Sequence, residues 1–269
     1  MSAVNYHIEE NFISDKNCQK LINDASKNLE YSDYIKIHSN RNILNSSSVG
    51  YEKLSKKSDE WKKLKNKIES EQFLEYSCNK LNLDSSNFEL KKFFNLIRDD
   101  ERNLKKRTEK KIKEFNNLSL LKIIFKRLCR TVTRKLKFSK LFNSKKCLEI
   151  LYDYSISGKS YNREIHRDSD SRLIVFLLYL NQFDGEEKGG NLIFYKKKDN
   201  NYEEVIKIKP KSGKLVIFEN NDLSLHAVDP ISQENTRRHF IYGGFTVLSG
   251  KNPLLKSKYK SKTEFHLYE

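Results

Sequence analysis

Cysteine is scarce and scattered in this chain: Cys18, Cys78, Cys129 and Cys147 are the four among 269 residues, and none forms a C-x-x-C pair. That spacing argues against a zinc knuckle and against a disulfide framework, and leaves buried or helix-face thiols in a reducing compartment. No stretch reaches about 18 uninterrupted apolar residues, so no membrane span is predicted. Met1 to Asp15 mixes acidic and polar residues without an apolar run, so no cleavable signal is expected and the soluble cytoplasm is the default location. Gly189-Gly190 lacks the context of a phosphate loop and reads as a turn that lets the next strand start. Hydrophobic residues make up only 37%, but 12% aromatic content argues against wholesale disorder, and the length suffices for one globular domain with a full core.

Acidic residues nearly vanish from one segment. Between Glu101 and Lys146 there are 17 Lys or Arg and three Glu, so this stretch holds +14 of the chain's +16 and leaves about +2 for the rest. Leu121, Ile124, Phe125, Leu128 and Val132 recur within it at three- and four-residue steps, an apolar stripe flanked by basic residues. Three accounts compete: a helical insertion packed on the domain with its basic side solvated, a surface for nucleic acid or acidic protein, and peripheral contact with a membrane surface.

The chemistry-bearing pattern lies further on. His166 and Asp168 are two apart, His226 follows sixty residues after His166, and Arg238 twelve beyond that, all within a stretch rich in Val, Ile, Leu and Phe. Residues i and i+2 of a strand point to one side about 6 to 7 Å apart, so His166 and Asp168 can reach one ion. Leu223, Leu225 and Val228 read as sheet, which brings His226 from a different strand. Two imidazoles and a carboxylate on one face suit a non-haem Fe(II) site with open positions. Arg238 opens the strand RHFIY, in which Arg238, Phe240 and Tyr242 share a face. The strand Arg172 to Leu180 is apolar on both faces; Val175, Leu177 and Tyr179 share one parity, assigned to the interior so that Tyr179 points toward Arg238. Pro210 to Gly213 reads as a hairpin connection between Ile206–Ile208 and Leu215–Phe218 with solvated lysines. His7, His38 and His266 lie outside the pattern, and His239 alternates away from Arg238.

Residues 152–247 resemble the catalytic domain of the prolyl 4-hydroxylase-like branch of Fe(II)/2-oxoglutarate-dependent dioxygenases. HRDSDSRLIVFLLYLN (166–181), GGNLIFY (189–195), IKPKSGKLVIFEN (208–220), LHAV (225–228) and RRHFIYGGF (237–245) carry the resemblance, in that family's order. It implies His166, Asp168 and His226 as iron ligands, and Arg238 with Tyr179 as partners of the distal 2-oxoglutarate carboxylate. Arg237 competes for the Arg role; Arg238 is preferred because the family's Arg opens the last core strand two residues before an apolar one. The cofactors implied are Fe(II), 2-oxoglutarate and dioxygen, with ascorbate as a candidate accessory reductant. The activity implied is hydroxylation of a C–H bond of a protein side chain, coupled to decarboxylation of 2-oxoglutarate to succinate and carbon dioxide. The same chemistry on a free amino acid or small metabolite is the alternative. A nucleic-acid demethylase fits less well, because that branch usually adds a further Arg on the last strand where Ile241, Tyr242, Gly243 and Gly244 stand here.

The fold expected is α+β: a double-stranded β-helix, or jelly-roll, flanked by N-terminal helices and carrying a basic helical insertion. Residues 1–100 form the N-terminal helices and strands that buttress the barrel, 101–147 the basic insertion, 148–249 the catalytic core and 250–269 a polar, mostly poorly ordered tail in which Phe265, Leu267 and Tyr268 could dock. Asn11 to Ile13 reads as a strand, Ser14 or Asp15 as a cap, and Cys18, Leu21, Ile22 and Ala25 as the inner face of a helix. Arg41 to Ser48 resembles the family's short polar strand, and Asp59 to about Leu81 its second helix, with Trp61, Leu64, Ile68 and Cys78 inward. Two readings lie outside oxygenase chemistry. A zinc hydrolase could use the same three ligands but has no use for Arg238 with Tyr179, and a non-catalytic adaptor built on the basic segment predicts a broken ligand set.

Overall fold

A computed structural model of the chain describes residues 4–37, 40–91, 145–182, 189–199, 201–232, 237–248 and 252–255. Residues 101–144 of the basic segment therefore lie outside the described residues, Cys129 among them, as do His38, His266, Phe265, Leu267 and Tyr268. Among the described residues no helix is long and apolar enough to cross a membrane.

Serine starts each of the four N-terminal helices: α1 (Asp15–Asn28), α2 (Val49–Lys57), α3 (Asp59–Ile68) and α4 (Glu71–Lys80). The hydroxyls of Ser14, Ser48, Ser58 and Ser70 each accept from the backbone N–H three residues on, satisfying a donor the helix itself leaves open. The single helix expected over 59–81 is thus two, because Ser70 caps a new start after Ile68, and α2 is an element the sequence reading did not find. Trp61, Leu64, Ile68 and Cys78 are buried as expected, as are Cys18, Leu21 and Ala25 on α1. Trp61 Nε1 donates to the Leu21 carbonyl at 2.8 Å, pinning α3 to α1. Cys18, Cys78 and Cys147 are free thiols.

The strands are β1 (Tyr6–Glu9), β2 (Ile35–Ile37), β3 (Arg41–Asn45), β4 (Phe88–Leu90), β5 (Lys146–Ser157), β6 (Arg163–His166), β7 (Arg172–Tyr179), β8 (Leu192–Lys198), β9 (Asn201–Ile208), β10 (Leu215–Glu219), β11 (His226–Val228) and β12 (Arg238–Val247). The N-terminal strand lies at Tyr6–Glu9, and Asn11 to Ile13, expected as strand, is turn instead: Phe12 N–H donates to the Gly213 carbonyl at 3.0 Å. An eight-stranded sheet runs β1-β10-β7-β12-β5-β3-β2, with β4 beside β5 in parallel, and faces a four-stranded sheet ordered β6-β11-β8-β9. All other pairings among the described residues are antiparallel. Helices outside and two antiparallel sheets inside are consistent with the double-stranded β-helix expected.

Alternation along β7 divides the core in two. Ile174, Phe176 and Leu178 pack with α1, α3 and α4 on the outer face, whereas Val175, Leu177 and Tyr179 pack with Leu192, Phe194 and Phe240 between the sheets. The strand is apolar on both sides because both sides are covered. Two connections bear on the site. Residues 209–214 do not form the hairpin expected, since β9 pairs with β8 and β10 pairs with β1 and β7; they cross from the small sheet to the large one. Gly213 stands there at φ +77°, and a Cβ would lie 2.0 Å from the Ile13 carbonyl oxygen, so the crossing requires glycine. Its lysines are not simply solvated: Lys214 is buried and pairs with Glu10 at 3.3 Å, and Lys211 with Glu10 at 3.0 Å. Gly189-Gly190 is the turn expected, at φ +69° and +76°.

Candidate metal centre and carboxylate pocket

The small sheet places two imidazoles side by side. β6 and β11 pair antiparallel with His166 opposite His226, and the rings lie 4.4 Å apart between centroids. Asp168 sits just past the end of β6, not within a strand, and Leu223, 39% exposed, belongs to the turn before β11 and not to a strand. His166, Asp168 and His226 nevertheless converge, with one ligand atom from each all within 4.8 Å of one another.

Each member of the trio is oriented by a partner of its own. His166 Nδ1 bonds the Glu164 carbonyl at 2.8 Å and His226 Nδ1 the Ser224 carbonyl at 2.8 Å. A carbonyl only accepts, so each Nδ1 carries the proton and each Nε2 presents its lone pair. Burial, followed by the neighbouring His226, holds His166 down to about 3, and burial likewise lowers His226, so both rings are neutral near pH 7. Burial would raise the Asp168 carboxyl, but the Arg172 guanidinium and the two histidines override it and hold it down to about 2. Its Oδ1 accepts from the Tyr242 hydroxyl and lies 3.6 Å from Arg172 Nη1, which also donates to Tyr242 Oη at 2.6 Å. Oδ2 is sealed from solvent without a hydrogen-bond partner, 3.8 Å from His226 Nε2. One carboxylate oxygen is thus secured and the other left free beside two unprotonated nitrogens, a donor set that fits a divalent ion needing N and O ligands.

The loop holding Asp168 is tied from three directions. Arg167, 2% exposed, bonds Asp170 at 2.6 Å and Asp222 at 2.5 Å, linking it to the turn before His226. Asn220 Nδ2 donates to the carbonyls of Ser169 at 2.7 Å and Arg172 at 2.8 Å. Asn252 Nδ2 reaches Arg172 O and Asn220 O, each at 2.6 Å, so the tail begins with a buried residue that braces the site. Arg172, Tyr242, Asn220 and Asn252 were not found by sequence reasoning. The shared parity of Tyr242 with Arg238 was the one available signal.

At the other end of the inner face lies a second orphaned set. Arg238 is 1% exposed, and among the described residues none of its three nitrogens has a hydrogen-bond partner. Its guanidinium lies over the Tyr179 ring at 4.9 Å and the Phe240 ring at 4.5 Å. The buried Tyr179 hydroxyl also lacks a partner; burial raises its pKa against the opposing pull of Arg238. Arg237 is exposed on the opposite side, next to Gly158. An unpaired buried cation beside an unpaired hydroxyl fits an incoming carboxylate, which accepts from both. His239 points outward to Tyr154 Oη at 2.8 Å and is no part of the trio.

No curated protein sequence matches the chain. Among solved structures, a prolyl 4-hydroxylase from Phytophthora capsici is similar at 13% identity and a TM-score of 0.52, over 97% of this chain and 65% of that one, which shows a shared fold. A Pseudomonas putida prolyl-4-hydroxylase is similar at 13% identity and a TM-score of 0.46, over 92% of this chain and 94% of that one. A Trichoplax adhaerens prolyl hydroxylase, solved with a peptide fragment of hypoxia inducible factor, is similar at 13% identity and a TM-score of 0.43, over 90% and 84%. Residues 151–243, which hold the trio, Tyr179 and Arg238, match the family described as the 2OG-Fe(II) oxygenase superfamily.

Proposed function

We propose that this protein hydroxylates a C–H bond of a protein side chain, with His166, Asp168 and His226 holding Fe(II) and with Arg238 and Tyr179 holding the distal carboxylate of 2-oxoglutarate. The observation that carries the site assignment is the pair of orphaned sets on one inner face. The trio offers two lone pairs and a free carboxylate oxygen, and Arg238 with Tyr179 offers donors that have no hydrogen-bond partner among the described residues. A zinc hydrolase would leave the second set without a purpose, and an adaptor would not need the first. The prolyl-hydroxylase-like order of motifs supports a protein side chain as target.

Iron with dioxygen and the keto acid would supply the oxidising chemistry. The protein's own residues supply the arrangement. The Nδ1–H bonds of His166 and His226 fix both ring orientations, so binding a metal displaces no proton at pH 7. Tyr242 and Arg172 occupy Asp168 Oδ1 and leave Oδ2 to bind. Arg238 and Tyr179 orient the keto acid from its far end, while Phe240, Phe194, Val175 and Leu177 exclude water between the two ends.

Metal analysis and succinate release test this reading. About one iron per chain and succinate formation dependent on 2-oxoglutarate are expected. Protein that neither takes up iron nor consumes the keto acid would refute it. Mass spectrometry of proteins from cell extracts treated with active enzyme should show a gain of about 16 Da, one oxygen atom, on a side chain.

A further inference from the structure

A second buried arginine faces the same interior. Arg41 on β3 is 8% exposed and makes no ion pair among the described residues. Registers align it in one row with Arg238: Arg41 is opposite Ser157 across β3–β5, and Ser157 is opposite Arg238 across β5–β12. The two guanidiniums nonetheless end in different places. Arg238 lies over Phe240 and Tyr179, whereas Arg41 lies over Phe240 at 5.1 Å and over Tyr242 at 5.4 Å. Tyr242 is the residue bonded to Asp168, so Arg41 lies toward the trio's end of this inner face.

The hydrogen bonds of Arg41 show which of its edges is free. Nε and Nη2 both donate to the buried Ser155 hydroxyl, at 3.1 and 2.8 Å. A guanidinium has five N–H donors, and this uses the side edge; the end edge, one N–H from Nη1 and one from Nη2, remains for a bidentate acceptor. Ser155 is neutral, so it orients the group without neutralising it. A buried cation without a counter-ion is costly unless a ligand supplies one. The keto acid of the proposed reaction has two carboxylates, one for Arg238 and one for the metal, and leaves none for Arg41. Arg163 on β6 adds a second half-buried guanidinium near the trio without an ion pair among the described residues, and its charge opposes protonation of both histidines.

We propose that Arg41 recognises a carboxylate on the molecule to be hydroxylated, so that the substrate is an acid presented end-on to this guanidinium next to the metal trio. This deepens the reading above and rests on it. Within a protein target the carboxylate belongs to an acidic side chain or a chain terminus near the hydroxylated residue; a free amino acid carries the same group.

Paired probes on the full chain distinguish these sources and test the claim. Free L-amino acids are compared with their α-amides, and acidic peptides with the same peptides carrying Asn or Gln in place of Asp or Glu. Readouts are thermal stabilisation of the metal-free protein and stimulation of succinate release. At least one carboxylate-bearing probe should stabilise the protein and its amide should not. Arg41→Gln should weaken that probe about 10- to 100-fold, the loss of a charge-assisted hydrogen-bonded pair, with Arg41→Lys between because the charge stays and the fork is lost. The KM for the acid should rise by a larger factor than the KM for 2-oxoglutarate. Acid and amide acting alike, no carboxylate-bearing probe binding the wild type, or equal rises in both KM values would overturn the proposal. Failure of the oxygenase reading shows separately, as absent iron uptake and absent succinate, while stabilisation of metal-free protein still reports on Arg41.

Discussion

Arg238→Met should make the ligand-free protein more stable and deaf to 2-oxoglutarate. The substitution keeps a long unbranched side chain and removes a charge that is 1% exposed with three unpartnered nitrogens. Replacing a buried charge by an apolar residue of similar volume is neutral or stabilising by about 1–4 kcal/mol. The stacking on Tyr179 and Phe240 that would be lost offsets about 0.5–2 kcal/mol. The two ranges net to between about −1 and about +3.5 kcal/mol, centred on a gain of about 1 kcal/mol, and for a domain of this size each kcal/mol moves Tm by roughly 2–4 °C. With ligand the order reverses. At a hundred times Kd, 2-oxoglutarate should stabilise the wild type by about 2.7 kcal/mol and the variant by nothing measurable.

The assay is thermal unfolding of both proteins, first metal-free, then with Mn(II) and 2-oxoglutarate under nitrogen so that nothing turns over. A residue whose work is structural gives the opposite signature: a variant less stable than the wild type without ligand, and still stabilised by the keto acid. That result would refute the assignment of Arg238 as an anion receptor held ready at a cost in stability.

Asp168→Ala removes the only carboxylate of the trio and should abolish both stoichiometric iron uptake and succinate release; wild-type turnover in an iron-loaded Asp168→Ala protein would sink the ligand assignment. Tyr179→Phe deletes a hydroxyl with no hydrogen-bond partner among the described residues, so unfolding without ligand should be unchanged or slightly raised while the KM for 2-oxoglutarate rises about tenfold, the worth of one hydrogen bond to a charged group. Acid should destabilise the fold through His239, whose pKa burial and then Arg237 depress to about 4. The unfolded chain binds this proton below about pH 6.5 and the folded one only near 4, so stability falls as pH drops through that window, by about 2 kcal/mol between pH 7 and 5. Denaturant unfolding of His239→Gln should show a loss over that interval smaller by about this amount, and an identical pH dependence would show that His239 is not the group.

What could be read from the sequence was what a period of two reveals. The interior parity of Val175, Leu177 and Tyr179 and the shared face of Arg238, Phe240 and Tyr242 each follow from residue type plus alternation, and the structure places them accordingly, whereas Asp168 reaches His166 from the loop just past β6 and not by alternation within a strand. Residues whose role depends on what lies across from them were not legible. Arg41 looked like part of a polar strand until pairing set it beside Ser155 and Phe240. Asn252 looked like tail, and its importance is two carbonyls from distant segments. The break between α3 and α4 is legible only in retrospect: Cys78 can be placed on one long helix with Trp61, Leu64 and Ile68, but the buried Phe73, Leu74 and Ser77 lie on a different face and belong to a new start capped by Ser70. The crossing at 209–214 reads as a hairpin in the sequence because its Pro and Gly suit both, and only the sheet partners of β9 and β10 separate the two.

Alternation also decides between the adjacent arginines. Moving β12 by one residue would bring Arg237, His239 and Ile241 inward and turn Arg238, Phe240 and Tyr242 out. Arg237 could then approach the pocket, but the hydroxyl that holds Asp168 Oδ1 would be lost, and with it the partner that leaves Oδ2 free for an ion. Ile241 and Phe245, now packed on the helices, would be lost from that core, and the half-buried His239–Tyr154 bond would break. The pocket and the metal trio are therefore not independent choices along this strand. A register that serves the trio through Tyr242 places Arg238, four residues earlier on the same face, at the deep end beside Tyr179, and the position next to it faces the rim.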